Sequence, residues 1–455
     1  MKIKGTPINQ SVKKEEVLAK DREYVWHHMS QHNDHPMVFV SGKDSWLETI
    51  EGEKYIDGLS GLWCVNIGHG RTAVAEAAAK QMGTLAYSPM SQSHVPAVEL
   101  ASKVSDWLGG GYRIFYSNSG SDANEVAFKI ARQYFAQTGE PTRYKILSRY
   151  RAYHGNSIGA MAATGQAIRK TMYGPTPDGF KHVPPPYCYR CPFGQERGSC
   201  QFECASAIRD AIMWEGPETV AAIILEPTIT GGGMIVPPKE YIEQVRAICD
   251  EFGILMIVDE VICGFGRSGR RFGHQNFDVK PDIVTMAKGL TSAYAPLSIT
   301  AVRSELYDTF KEKDGLHHFR HVNTFGGNPV SCAVALKNIE ILESEKLVER
   351  AAELGKQLEM KLDHLKSSPY VGDIRMFGFA AGIELVADKQ TKQPLSDQLV
   401  GKVLAICKEN QVILGKNGDT VPGHNNIITI APPFVLTEQE LDLIVSALDK
   451  GLQAI

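Results

Sequence analysis

Three short apolar runs in the chain each end on residues able to do chemistry. Asp282-Ile-Val-Thr-Met286 leads into Ala287-Lys288-Gly289-Leu290. A lysine flanked by small residues at the end of a buried strand loses hydration, which lowers its pKa and frees the amine to attack a carbonyl. On an open turn it is an ordinary surface lysine. Ile254-Leu-Met-Ile-Val258 leads into Asp259-Glu260. Two carboxylates there are costly unless something positive meets them, so they bind a metal, cap the next turn or neutralise a cationic ligand. Arg113-Ile-Phe-Tyr116 leads into Ser117-Asn-Ser-Gly-Ser-Asp122 and then a helix. Small residues opening a helix present N–H groups at its positive end, a cradle for an anion or a phosphate. The plainer reading is a turn with Ser121 or Asp122 as N-cap.

The elements that must position these residues follow from hydrophobic texture. From about residue 71, apolar runs without polar alternation (113–116, 144–147, 220–225, 254–258 and 282–286) are separated by helix-length segments. That pattern predicts a parallel sheet covered on both faces. Helices fit 121–137, 239–252 and 329–342. In such a sheet ligands sit at the carboxyl ends of the strands, where the three groups lie. Together they offer an anchored phosphate, a carboxylate for a ring nitrogen and an amine for an imine, which are the requirements of pyridoxal phosphate.

The flanks read differently. A surface helix is expected near its start within Ser11–Gln31. Residues 45–50 and 53–57 form a hairpin about Glu51-Gly52. Beyond about 345 come a long helix, short strands near 375–385 and 427–430, and two further helices. The two ends are expected to pack as one composite α+β domain (1–70 with 335–455) beside a large cofactor domain (71–334). With 43% hydrophobic and 22% charged residues the chain is globular, and its net charge of −4 gives no bulk attraction to nucleic acid or membrane. No apolar run approaches the roughly 18 residues of a membrane span. The first residues, MKIKGTPINQSVKK, lack an apolar core, and nine cysteines, an odd number, do not suggest a disulfide framework. A cytoplasmic location is expected.

The sequence resembles the class III (omega) aminotransferases of fold-type I pyridoxal-phosphate enzymes along nearly its whole length. The resemblance is carried by Gly61-Leu-Trp63 with Gly68-His-Gly70, Ser117 to Glu125, Tyr153-His-Gly155, Glu226-Pro227, Asp259-Glu-Val261 through Gly264-Phe-Gly-Arg-Ser-Gly269, Ala287-Lys-Gly289, and Thr324-Phe-Gly-Gly-Asn-Pro329. It implies that Lys288 holds the cofactor as a Schiff base and then moves a proton, while Asp259 pairs with the pyridine nitrogen. Val261 and Tyr153 would take opposite faces of the ring, and Gly120 and Ser121 would donate to the phosphate. Ser119 and Glu226 are counted with the cofactor-binding set. Thr324 would reach the phosphate of a neighbouring subunit, making the enzyme a homodimer or higher homo-oligomer. Trp63 and Tyr153 would line the substrate pocket; core packing is the plainer role for each.

The stretch that departs from the family bears on the substrate. Many relatives carry a carboxylate-binding arginine where this chain has Gly415, followed by Lys416-Asn417-Gly418-Asp419. Lys416, or another basic residue, is therefore the expected carboxylate partner, although a lysine lacks the arginine fork. The segment Thr420–Asn426 looks similar to taurine–pyruvate aminotransferases. The expected activity is amino transfer from an omega-amino donor (taurine, β-alanine or another amine) to a keto acid such as pyruvate. Synthesis of 7,8-diaminononanoate in the biotin pathway is the rival within the family, and a non-catalytic cofactor-binding regulator the rival outside it. The intact set Asp259, Lys288 and Tyr153 weighs against the latter. Cys188, Cys191, Cys200 and Cys204 have the composition of a zinc site but not its usual spacing, and no metal is expected.

Overall fold

The computed structural model describes residues 13–29, 36–311, 315–417 and 420–455. A seven-stranded sheet forms its centre, in the order 112–117, 298–303, 283–286, 255–259, 220–225, 145–149 and 180–183. Every neighbouring pair is parallel except those made by Ser298–Arg303, which runs antiparallel to both its neighbours. Five of the seven strands are legible in the sequence because both faces are covered; 180–183 and 298–303 are not among the runs it offers. Val220–Leu225 and Leu255–Asp259 are buried at every position.

Alternate side chains go to opposite layers. Ala222, Ile224 and Ile257 pack under helix Gly120–Gln137, with Val126 and Ile130. Ile223, Leu225, Met256 and Val258 face helices Glu203–Glu215 and Lys239–Phe252.

Two smaller sheets flank this core. Phe39–Lys43, Trp46–Thr49 and Lys54–Asp57 form an antiparallel ribbon. Its inner strand then pairs in parallel with Val412–Ile413, with Ile56 opposite Val412 and Asp57 opposite Ile413. The second sheet orders Val371–Met376, Ala381–Asp388, Ile427–Ile430 and Gly415–Asn417. Residues from both ends of the chain thus share one sheet. Helix Pro329–Ser344 packs on helices Thr72–Thr84 and Val95–Trp107, and position 335 lies inside it. The amino-terminal helix is Lys14–Tyr24 and buries no residue. Of the segment expected to begin with it, positions 11–12 and 30–31 fall outside the described residues. Among the described residues no helix is long and apolar enough to cross a membrane.

Candidate active site

The carboxyl ends of the central strands converge on a cavity of about 180 Å³ lined by Gly120, Ser121, Asn124, Tyr153, His154, Glu226, Asp259, Val261 and Lys288, among others. Asp259 closes strand Leu255–Asp259, opposite Thr285 on the next strand. Strand alternation separates the two adjacent carboxylates. Glu260 turns away from the cavity and is consumed by its own loop, accepting from Gly273 N (2.8 Å), His274 N (2.7 Å) and His274 Nδ1 (2.7 Å). Asp259 faces the cavity. Its Oδ2 accepts from Asn124 Nδ2 and His154 Nδ1, both at 2.9 Å, and its Oδ1 from Val261 N at 3.1 Å. A carboxylate has about four acceptor positions, so one remains for a donor in the cavity.

Lys288 opens a short 3₁₀ turn just beyond strand Ile283–Met286. Its φ of +43° is left-handed, a conformation costly for a residue with a side chain and found where surroundings enforce it. Burial lowers the pKa of its amine, against the opposing pull of Cys64, Asp259, Glu226 and Cys263. Both features suit an amine held in place for attack on a carbonyl.

At the third strand end, helix Gly120–Gln137 begins with a reciprocal cap. Ser119 Oγ accepts from Asp122 N at 3.2 Å, and Asp122 Oδ2 accepts from Ser119 N at 3.0 Å. The N-cap is therefore Ser119, not Ser121 or Asp122, and its hydroxyl is occupied by the helix. Ser121 Oγ stays at the cavity and accepts from Asn156 N at 3.0 Å. A Cβ added to Gly120 would stand 3.1 Å from both methyls of Val261, so the helix start and the ring-facing valine are close-packed.

Glu226 is buried at the end of strand Val220–Leu225. It accepts from Tyr153 N (3.1 Å), Thr230 N (3.1 Å) and Thr230 Oγ1 (3.0 Å). Burial raises its pKa, and His154 and Arg149 oppose that rise. Glu226 thus fixes the backbone that carries Tyr153.

Three expected site residues do not line this cavity; for Thr324 that agrees with the expectation, which puts it at a neighbouring subunit's site. Lys416 sits on a strand whose neighbours Gly415 and Asn417 point inward, so its own side chain points out and pairs with Asp397 at 2.5 Å. Asn417 takes the inward place, donating to Thr230 O at 3.1 Å. Trp63 is 9% exposed and packs in the core with Met234, Phe377 and Ala431 rather than lining the cavity. Thr324 is exposed in the turn before helix Pro329–Ser344, outside the cavity.

Sequence reasoning passes over Asn124 and His154, although both lie inside quoted motifs. Their side chains hold Asp259, and the His154 Nε2 and Asn124 Oδ1 atoms are buried without partners. Cys188, Cys191, Cys200 and Cys204 line a separate void of about 20 Å³. Burial raises the Cys188 thiol and pushes Cys204 up to about 12. Among the described residues no group of three or more histidine, cysteine or acidic side chains is arranged to hold a metal ion.

A buried amine, a three-donor carboxylate and a helix start facing one cavity at the end of a parallel sheet define a pyridoxal-phosphate transferase of fold-type I. Residues 28–452 match the family model of class III aminotransferases, and the chain belongs to that family. The uncharacterized aminotransferase YhxA of Bacillus subtilis is 50% identical over 100% of this chain and 99% of its own. Taurine–pyruvate aminotransferase of Bilophila wadsworthia is 40% identical over 97% and 98%. A solved Bacillus anthracis aminotransferase superposes with a TM-score of 0.95 at 52% identity, covering 98% of this chain and 100% of that one. An amine transaminase from an uncultivated Pseudomonas species, solved with pyridoxal phosphate bound, gives 0.89 at 34% identity over 95% and 98%. The enzyme is an aminotransferase dependent on pyridoxal phosphate.

Proposed function

We propose that the enzyme moves an amino group from an omega-amino donor, such as taurine or β-alanine, to pyruvate. The observation that carries the donor class is the space at Gly415. A Cβ there would stand 2.3 Å from Thr429 Oγ1 and 2.8 Å from both Leu59 methyls. A side chain there would have to displace Thr429 and Leu59, at the position where many relatives use an arginine to clamp a carboxylate. A donor whose amine-bearing carbon has no carboxylate needs no such clamp. The 40% identity to a taurine–pyruvate aminotransferase across nearly all of both chains supports the same reading.

Bound pyridoxal phosphate supplies a ring that withdraws electrons from the donor carbon. The chain supplies the rest. Lys288 Nζ, kept closer to neutrality by burial, takes the proton from the donor carbon and returns it on the other side of the transfer. Asn124, His154 and the Val261 amide fix the Asp259 carboxylate so that its remaining acceptor position meets the ring nitrogen. Tyr153 and Val261 bracket the ring, and the start of helix Gly120–Gln137, with Gly120 and Ser121, receives the phosphate at its positive end.

The site is read as shared by two copies. Tyr87, Met90 and Phe325 are exposed, and Met90 packs against Gly327 in the turn that carries Thr324. An apolar rim of this kind suits cover by a second copy, with Thr324 reaching across. The composite unit 1–70 with 335–455 would close over the large unit 71–334. Nine free thiols support a reducing, cytoplasmic setting.

The test is a donor panel of taurine, β-alanine, putrescine, 1-phenylethylamine and S-adenosylmethionine, each with pyruvate. Alanine formed from taurine or β-alanine is expected. Turnover with none of the omega-amino donors overturns the reading, and amino transfer from S-adenosylmethionine to a keto acid precursor of biotin replaces it.

A further inference from the structure

A keto acid brings a carboxylate into the cavity, and a carboxylate removed from water needs a cation. Several candidates near the site already donate to oxygen atoms. Lys416 is held by Asp397 on the far face of its strand. Arg267 is fully enclosed and donates to Phe379 O, Pro432 O, Ser60 Oγ and Asn66 Oδ1. Arg149 is buried and donates to the Glu226 carbonyl. Arg151 donates to Gly232 O at 3.0 Å and stacks on Tyr187.

Unlike these, Arg169 bonds no oxygen atom among the described residues. Its guanidinium carbon lies 5.4 Å from the centroid of the Tyr153 ring, and Tyr153 lines the cavity. The charge is thus one aromatic side chain away from the reacting space. Nη1 donates to Met29 Sδ at 2.9 Å, and a thioether is a weak acceptor. Nε is buried without a partner, as are Nε and Nη1 of Arg149, Nη2 of Arg151 and Nε of Arg267. Among the described residues no carboxylate pairs with Arg169. A planar, permanently charged fork that bonds only a thioether among the described residues gains most when a carboxylate replaces it.

We infer that Arg169 binds the carboxylate of the keto acid acceptor, leaving Met29 to do so, and thereby selects acids over plain aldehydes. The inference rests on the reading of pyruvate as acceptor given above. It makes Arg169 the counterpart of the clamp that Gly415 lacks, placed on the Tyr153 side of the cavity.

Steady-state kinetics of the holoenzyme test it, with 1-phenylethylamine as a donor without an acid group and with pyruvate or propanal as acceptor. Arg169→Ala should raise the KM for pyruvate about 10- to 100-fold, the range for a lost charged hydrogen bond. The KM for propanal should stay within about twofold on the same reasoning, since it offers no charge to pair. Arg169→Lys, which keeps the charge without the fork, should fall between wild type and Arg169→Ala, and it carries the test if the alanine variant does not fold. The visible absorbance of bound cofactor should match wild type in both. Equal losses with the two acceptors would mean that Arg169 only supports Tyr153, and an unchanged pyruvate KM would remove it from binding; either overturns the assignment alone. A wild-type enzyme that uses propanal but not pyruvate overturns the acceptor reading as well.

Discussion

Lys288 carries two demands that conflict: an amine must be poorly solvated to react, and a poorly solvated amine destabilises the fold that holds it. Its pKa lies below the ordinary value of 10.5 in the folded chain. The unfolded chain therefore binds the extra proton across the interval between the lowered value and 10.5. By linkage, the contribution of Lys288 to stability rises with pH through that window and is least favourable below it. Lys288→Met, which keeps the bulk and removes the charge, should raise the melting temperature of the cofactor-free protein at pH 7. The gap should shrink as the pH approaches 10.5, and thermal unfolding of both proteins across that range checks the slope. The same variant should lose at least about 100-fold in turnover, as expected when a general base is removed. A variant that melts with wild type at every pH would mean the amine is hydrated after all.

At the scale of elements, the capped helix Gly120–Gln137 couples fold to site. Ser119→Ala removes one side of the reciprocal cap and should cost about 1 kcal/mol, measured by denaturant unfolding. Gly120→Ala should do something different: with both Val261 methyls 3.1 Å from the new carbon, the valine must shift, and cofactor retention on dialysis should weaken more than stability does. The elements that sequence revealed and those it hid divide on physical grounds. Val220–Leu225 is legible because burial on both faces leaves an unbroken apolar run. Ser298–Arg303 is buried at all but its last position but contains Ser298 and Thr300. Thr300 is tolerated through its hydrogen bond to Ala123 O at 2.8 Å, a partner 177 residues away that no local pattern discloses. Likewise Lys288 and Asp259 announce themselves at the ends of apolar runs. Asn124 and His154 take their meaning only from the carboxylate they meet, and Lys416 misleads because a three-residue strand gives no local clue to which face points inward.

Across the whole molecule, the parallel pairing of Lys54–Asp57 with Val412–Ile413 ties the beginning of the chain to its end. Ile56 and Val412, opposite each other, are both fully buried in the core cluster that also holds Leu354, Leu358, Ile444 and Leu448. Ile56→Ala should cost about 2–5 kcal/mol, read from the shift in the urea midpoint, as for other enclosed large-to-small changes. That pairing also has a consequence in time. During synthesis the ribbon that starts at Phe39 emerges with one edge bare, and the strand that covers it is made about 350 residues later. At roughly 5–20 residues per second the wait is on the order of tens of seconds. A hydrophobic edge left open that long is a template for pairing with other nascent chains, so the amino-terminal ribbon is where a folding helper should be found on the ribosome. Chains stalled before Val412 should be cut by protease between the ribbon and the central sheet, and chains extended past Ile430 should resist.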